Sequence, residues 1–181
     1  MDMQTILPES TTQPRRCWEL DAGQANYVGV VDASSYGVGG VIIGELSPCP
    51  PTVFCQQWPS NVTESVISDT NWGGKLTNLD LKLAGLVLLW LMIEHVCTML
   101  SKKKVALFSN NSPKVSWVQQ MACRSSLIAE HLIRVLALRI NTQRSCPLTT
   151  LHIAGDQNSM TDIPLDLLAA SKNGISKQKL T

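Results

Sequence analysis

The stretch YVGVVDASSYGVGGVIIGEL, residues 27–46, constrains the chain more than any other part of it. Val28, Val30 and Val31 make a short β-branched run that ends at Asp32, and Val38–Ile43 make a second. Such runs suit buried strands. Ala33, Ser34, Ser35 and Gly37 lie between them, and Gly39 and Gly40 fall within the second run. Small residues there allow a tight turn and close backbone approach, so the pattern predicts a hairpin. TVFCQQW, residues 52–58, is a third β-branched and aromatic run. Three strands with short links predict an antiparallel meander.

Beyond the polar loop 59–76, with Gly73 and Gly74, the pattern changes. Thr77 to Leu100 reads as a long helix, with Thr77 or Asn78 as its cap. It is apolar on most faces and should lie against a sheet, covered in part on its far side. KKVALFS (103–109) is a fourth strand, and Pro113 suits the first turn of the helix that follows. Residues 114–121 and 126–142 carry helical spacing, LTTLHIAG (148–155) is a fifth strand, and MTDIPLDLLAAS begins a last helix or turn. The predicted fold is α/β. It has a five-stranded mixed sheet, with strands one to three antiparallel, strands four and five parallel to the first, and flanking helices. Residues 1–25 read as a flexible leader, 26–170 as the domain and 171–181 as a disordered basic tail.

Composition narrows the function classes. Net charge is +1, so no strong whole-molecule field draws nucleic acid or anionic membrane. Contacts to nucleic acid would come from local patches: Lys102–Lys104 and arginines 124, 134, 139 and 144, most of which suit a solvated helix face. The six cysteines (17, 49, 55, 97, 123, 146) lack zinc spacing, and Cys97 and Cys123 fall in apolar patterns that suit buried thiols in a reducing compartment. MDMQTILPES shows neither the basic nor the apolar part of a secretory signal, so the sequon at Asn61 reads as chance. The longest apolar run, Leu83–Ile93, is 11 residues, against the ~20 a membrane helix needs. A soluble protein of the cytoplasm or nucleus is expected.

In this layout four places meet at one edge of the sheet: Asp32 ending strand one, Asp80 or Lys82 in the first turns of the long helix, Asn110 ending strand four, and Asp162 at the start of the last helix. Four carboxylates there would hold two divalent metals for phosphoryl transfer, and magnesium prefers such oxygen ligands. Yet LFSNNSPKVSW, residues 107–117, brings neutral amides to that edge.

The stretches VVDASSYGVGGV, TNLDLKLAGLVLLWLMIEHV, VALFSNNSPKVSWV and LHIAGDQNSMTDIP resemble the ribonuclease H domain of retroelement (retrotransposon) reverse-transcriptase polyproteins. The likeness covers about residues 27–165, and its flavour is that of the degenerate copies in fungal, oomycete and protist genomes. Members hydrolyse the RNA strand of RNA–DNA hybrids with Asp, Glu, Asp, Asp and two magnesium ions, helped by a mobile His. The resemblance places the first Asp on Asp32, the last on Asp162 and the His on His152, ten residues earlier. Asn158 matches an Asn common in that loop, and with Ser34 and Arg124 it makes up the candidate nucleic-acid contacts. Other domains of a polyprotein are the further partners implied.

The middle two positions depart from the family. Lys82 stands in the slot of the Glu and Asn110 in that of the third acid. Asp80 is two residues from Lys82, about 200° around a helix, and points to another face. Asn110 offers a metal only a neutral oxygen. Asp32, Asp162 and Lys82 together carry about −1 where four carboxylates carry about −4, and Lys82 is placed to pair with Asp32 or Asp162. The expected metal occupancy is one weak magnesium site on Asp32 and Asp162, or none. Catalysis is expected to be impaired or lost. The alternative role is a non-catalytic nucleic-acid-binding, structural or partner-binding module of the same fold. DASSYGVGG also resembles the phosphate hairpin of actin-like ATPases and sugar kinases, but those need a second similar lobe, for which 181 residues leave no room.

Overall fold

The computed structural model describes residues 25–44, 51–96, 100, 103–123, 126–142, 146–155 and 158. The hairpin forms as its small residues require. β1 (Tyr27–Ala33) pairs antiparallel with β2 (Gly37–Gly44), and β2 with β3 (Thr52–Gln57). At the turn, the Ser34 N–H donates to the Gly37 carbonyl at 2.9 Å, and the Tyr36 N–H donates to the Ser34 hydroxyl at 3.2 Å. The Trp58 indole N–H closes the turn onto the Ser34 carbonyl at 2.8 Å. Gly40 is demanded by packing: a Cβ there would fall 2.5 Å from the Phe54 ring and 2.9 Å from the Val30 carbonyl oxygen.

β4 (Val105–Ser109) runs parallel to β1, and β5 (Leu148–His152) parallel to β4. The sheet order is β3-β2-β1-β4-β5, the five-stranded mixed sheet expected from the sequence. The fourth and fifth strands are shorter than expected, starting at Val105 and ending at His152.

Residues 59–76 differ from the expected loop. A one-turn helix, α1 (Ser60–Thr63), opens the segment, and isolated bridges pair Val66 with Leu76 and Ser68 with Asn71. The Asn71 amide donates to the carbonyls of Glu64 (2.8 Å) and Val66 (3.0 Å). Side-chain bonds to the backbone of this kind organise a polar segment that has little apolar surface to bury.

α2 (Asn78–Val96) lies across β1 and β2 and packs on α4 (Leu127–Thr142). Leu81, Leu83, Gly85, Leu86, Val87, Leu89, Trp90 and Ile93 are buried, which takes in most of its circumference. Their partners in the core include Val31, Val38, Leu107, Ile133 and Leu136. Gly85 lets the helix sit close, since a Cβ there would lie 3.3 Å from Ala33 and Val38. Residues 97–99, with Cys97, lie outside the described residues, as do residues 1–24 and everything from 159 onward. α3 (Ser112–Gln120) packs on β4 and β5.

The tryptophans divide. Trp90 is buried and donates to Glu94 Oε1 at 3.0 Å, and Trp58 and Trp117 pack against the core. Trp72, on the polar segment 59–76, is 81% exposed. Cys123 and Cys146 are buried and Cys55 is exposed on β3. Among the described residues no helix is long and apolar enough to cross a membrane.

Candidate functional site

The carboxyl ends of parallel strands are where open α/β sheets place their chemistry. Here the register does the placing. Val31 of β1 lies beside Ser109 of β4, and Ser109 beside His152 of β5. Asp32 and Asn110, each one residue further on, therefore come side by side. The adjacent asparagines have different tasks. Asn111 is the N-cap of α3, its Oδ1 accepting from the Lys114 N–H at 3.2 Å, with Pro113 in the first turn. Asn110 turns instead toward Asp32.

Lys82, on the second turn of α2, completes the group. Its Nζ lies 3.1 Å from Asp32 Oδ1 and donates to Asn110 Oδ1 at 3.1 Å. The Asn110 amide donates to Asp32 Oδ2 at 3.1 Å, and the Ala33 N–H to Asp32 Oδ1 at 2.8 Å. Both oxygens of the carboxylate are thus engaged, and the three side chains close a ring of contacts with no net charge. The Lys82 side chain remains 23% exposed and that of Asp32 16%, so the ring opens to solvent on one side.

Asp80 faces elsewhere and has a structural task. Thr77 is the helix cap: its hydroxyl accepts from the Asp80 N–H at 3.1 Å, while Asp80 Oδ2 accepts from the Thr77 N–H at 2.9 Å and hydroxyl at 2.7 Å. This is a capping box with Asp in the third position. Asp80 Oδ1 also accepts from the Ser126 hydroxyl at 2.7 Å, and Ser126 caps α4 through the Ala129 N–H at 3.0 Å. Burial pushes the Asp80 carboxyl up, but the Thr77 and Ser126 hydrogen bonds outweigh it and hold the group below its usual range. One carboxylate fastens two helix starts.

Lys114 was not foreseen. Its side chain is fully buried, its ammonium has no hydrogen-bond partner, and it sits 3.2 Å from the centre of the Trp117 ring. Burial lowers its pKa to about 8, partly offset by the charge of Asp80. A signal existed, because Lys114 shares a helix stripe with Trp117, Val118 and Met121, an apolar face.

The remaining candidates divide. His152 ends β5, exposed, in line with Ser109. Ser34 has its hydroxyl engaged in the hairpin turn. Asn158 is buried, its N–H donating to the Gly155 carbonyl at 3.1 Å. Asp162 and Arg124 lie outside the described residues.

Magnesium, the cofactor that the family resemblance implies, does not fit the described residues. The Lys82 ammonium stands between Asp32 and Asn110, where shared oxygen ligands would be needed. A dication about 5 Å from that ammonium would be repelled by about 7 kcal/mol at an effective dielectric of about 20. Among the described residues no three His, Cys, Asp or Glu side chains come together as a metal-binding group.

The sheet order and the helix across β1 make up a ribonuclease H-like fold. Solved structures that share the fold include three ribonuclease H proteins. Ribonuclease H1 of the archaeon Halobacterium salinarum matches with TM-score 0.55 at 12% identity, over 77% of this chain and 97% of that one. The N-terminal ribonuclease H domain of a Mycobacterium tuberculosis protein, solved as a fusion with maltose-binding protein, matches with TM-score 0.56 at 13% identity, over 83% and 98%. LC11-RNase H1, solved with an RNA/DNA hybrid, matches with TM-score 0.54 at 17% identity, over 76% and 91%. No protein-family model and no curated protein matches the chain.

Proposed function

We propose that the chain is a ribonuclease H-like domain of retroelement descent that no longer hydrolyses the RNA strand of RNA–DNA hybrids and serves as a nucleic-acid-binding module. The observation that carries this reading is the Lys82 ammonium, 3.1 Å from both Asp32 Oδ1 and Asn110 Oδ1. Two-metal hydrolysis depends on concentrated negative charge to hold its cations, and here an internal cation neutralises the one acid of the cluster. The rest of the frame supports a retained binding role, since the edge of the sheet is intact and His152 is exposed beside it. LC11-RNase H1, of the same fold, was solved with a hybrid on it. Asp32 and Asp162 are assigned to the ancestral metal site, His152 to the ancestral proton shuttle, and Asn158, Ser34 and Arg124 to nucleic-acid contact.

The test is a cleavage assay on a labelled RNA–DNA hybrid with magnesium or manganese. The wild-type protein is expected to leave the hybrid intact at enzyme excess. Metal-dependent cleavage that is lost in Asp32→Asn would overturn the loss of activity.

A further inference from the structure

The closed ring at the centre leaves one group unspent. An ammonium has three N–H donors, and Lys82 uses two, on Asp32 Oδ1 and Asn110 Oδ1. Among the described residues nothing takes the third, and the side chain is 23% exposed. Asp32, by contrast, is fully engaged by Ala33, Lys82 and Asn110, so its charge is not presented bare to solvent. A cluster of unpaired carboxylates at this edge would repel a phosphodiester until metal ions bound. This cluster has no such charge and offers a donor instead.

From this geometry we infer that Lys82 is a phosphate-binding residue, its third N–H contacting a backbone phosphate of a bound RNA–DNA hybrid so that binding needs no divalent ion. The inference rests on the binding role proposed above and adds the residue and the ion independence. Three side features fit it. Lys82 sits on a rigid helix, it is oriented by two fixed acceptors, and those acceptors lie on strand ends that cannot move apart without breaking the sheet. A positioned ammonium of this kind contacts phosphate as a point charge.

The test is fluorescence anisotropy of a labelled hybrid with the full chain, in EDTA and in magnesium, across a salt series. The wild-type affinity is expected to agree within about 2-fold in the two buffers, since no ion takes part in the contact. Lys82→Gln is expected to weaken binding about 10-fold, as for loss of a charged hydrogen bond. It should also reduce the slope of log K against log salt by about 1. Lys82→Arg should retain both. Lys82→Gln also frees Asp32, so the double variant Asp32→Asn with Lys82→Gln separates the two effects. It stays weak if Lys82 touches phosphate and returns to wild-type affinity if the loss was repulsion from Asp32, which would overturn the inference.

Binding by the wild type only in magnesium would also overturn it. Ion-independent binding with an unchanged salt slope in Lys82→Gln would overturn the phosphate contact while leaving the binding role standing. No binding in either buffer would overturn both. Thermal melts of each variant separate misfolding from loss of contact, and Lys82→Arg supplies the folded reference.

Discussion

The double variant Lys82→Glu with Asn110→Asp is expected to cleave RNA–DNA hybrids in magnesium, where the wild type does not. Lys82→Glu changes the charge at the sheet edge by two and Asn110→Asp by one more, removing the cation that now pairs with Asp32. The backbone needs no rearrangement. Asn110 and Asp32 already lie side by side through the β1–β4 register, and Lys82 already points between them. Metal stabilisation of transferring charge amounts to several kcal/mol, so the gain should be at least about 100-fold over the wild type. Neither single variant should match it. Asn110→Asp alone adds a second carboxylate partner for Lys82, and Lys82→Glu alone leaves a neutral ligand at residue 110. Cleavage is read as release of labelled RNA fragments, with EDTA as the control. A folded double variant that stays silent would mean that Lys82 and Asn110 are not what blocks the chemistry.

The second large effect concerns stability. Lys114→Met is expected to stabilise the domain by about 2 kcal/mol at pH 7, because it removes a buried ammonium that has no hydrogen-bond partner. A gain of that size corresponds to a rise in Tm of about 4–8 °C for a domain of this length. Asp80 keeps its bonds from Thr77 and Ser126 in the variant, so no carboxylate is stranded. The net gain is what remains after the loss of the Trp117 contact, since burying an unpaired ion costs several kcal/mol and a desolvated cation–π interaction contributes only about 2 kcal/mol.

The pH dependence gives the same group a signature of its own. The folded pKa of Lys114, about 8, lies below the unfolded value of 10.5, so the unfolded chain binds more protons between those limits. Stability should therefore rise as pH increases from about 8 to 10.5, by about 3 kcal/mol from this group. The full penalty stands below pH 8. In Lys114→Met that rise disappears, and the difference between the two proteins shrinks across the window. Urea melts at pH 7, 8.5 and 10 measure it. A variant less stable than the wild type at pH 7 would show that the charge of Lys114 is needed within the core.

Particular residues show how far the sequence could be read. The hairpin was legible because its β-branched runs and small turn residues leave one arrangement, and β4 and β5 because strand and helix alternate after the long helix. That topology alone brings Asp32 and Asn110 together, and a helix across the sheet adds Lys82. The contacts were less legible. TNLD, residues 77–80, carries the sequence form of a capping box, yet Asp80 drew notice only as a metal ligand that missed. Its bond to Ser126, 46 residues away, depends on how α2 and α4 cross, which no local pattern encodes. Lys114 was hidden by residue type, since a lysine is normally read as exposed and only its stripe placed it inside. Residues 59–76 were hidden because their order comes from side-chain bonds to backbone, not from apolar spacing.

The most direct measurement of the central claim is a magnesium titration of the wild-type protein by calorimetry, beside the Lys82→Glu, Asn110→Asp variant. If the Lys82 ammonium replaces the metals, the wild type shows one weak site or no heat of binding, and the double variant gains magnesium affinity. Two magnesium sites of ordinary affinity in the wild type would contradict it.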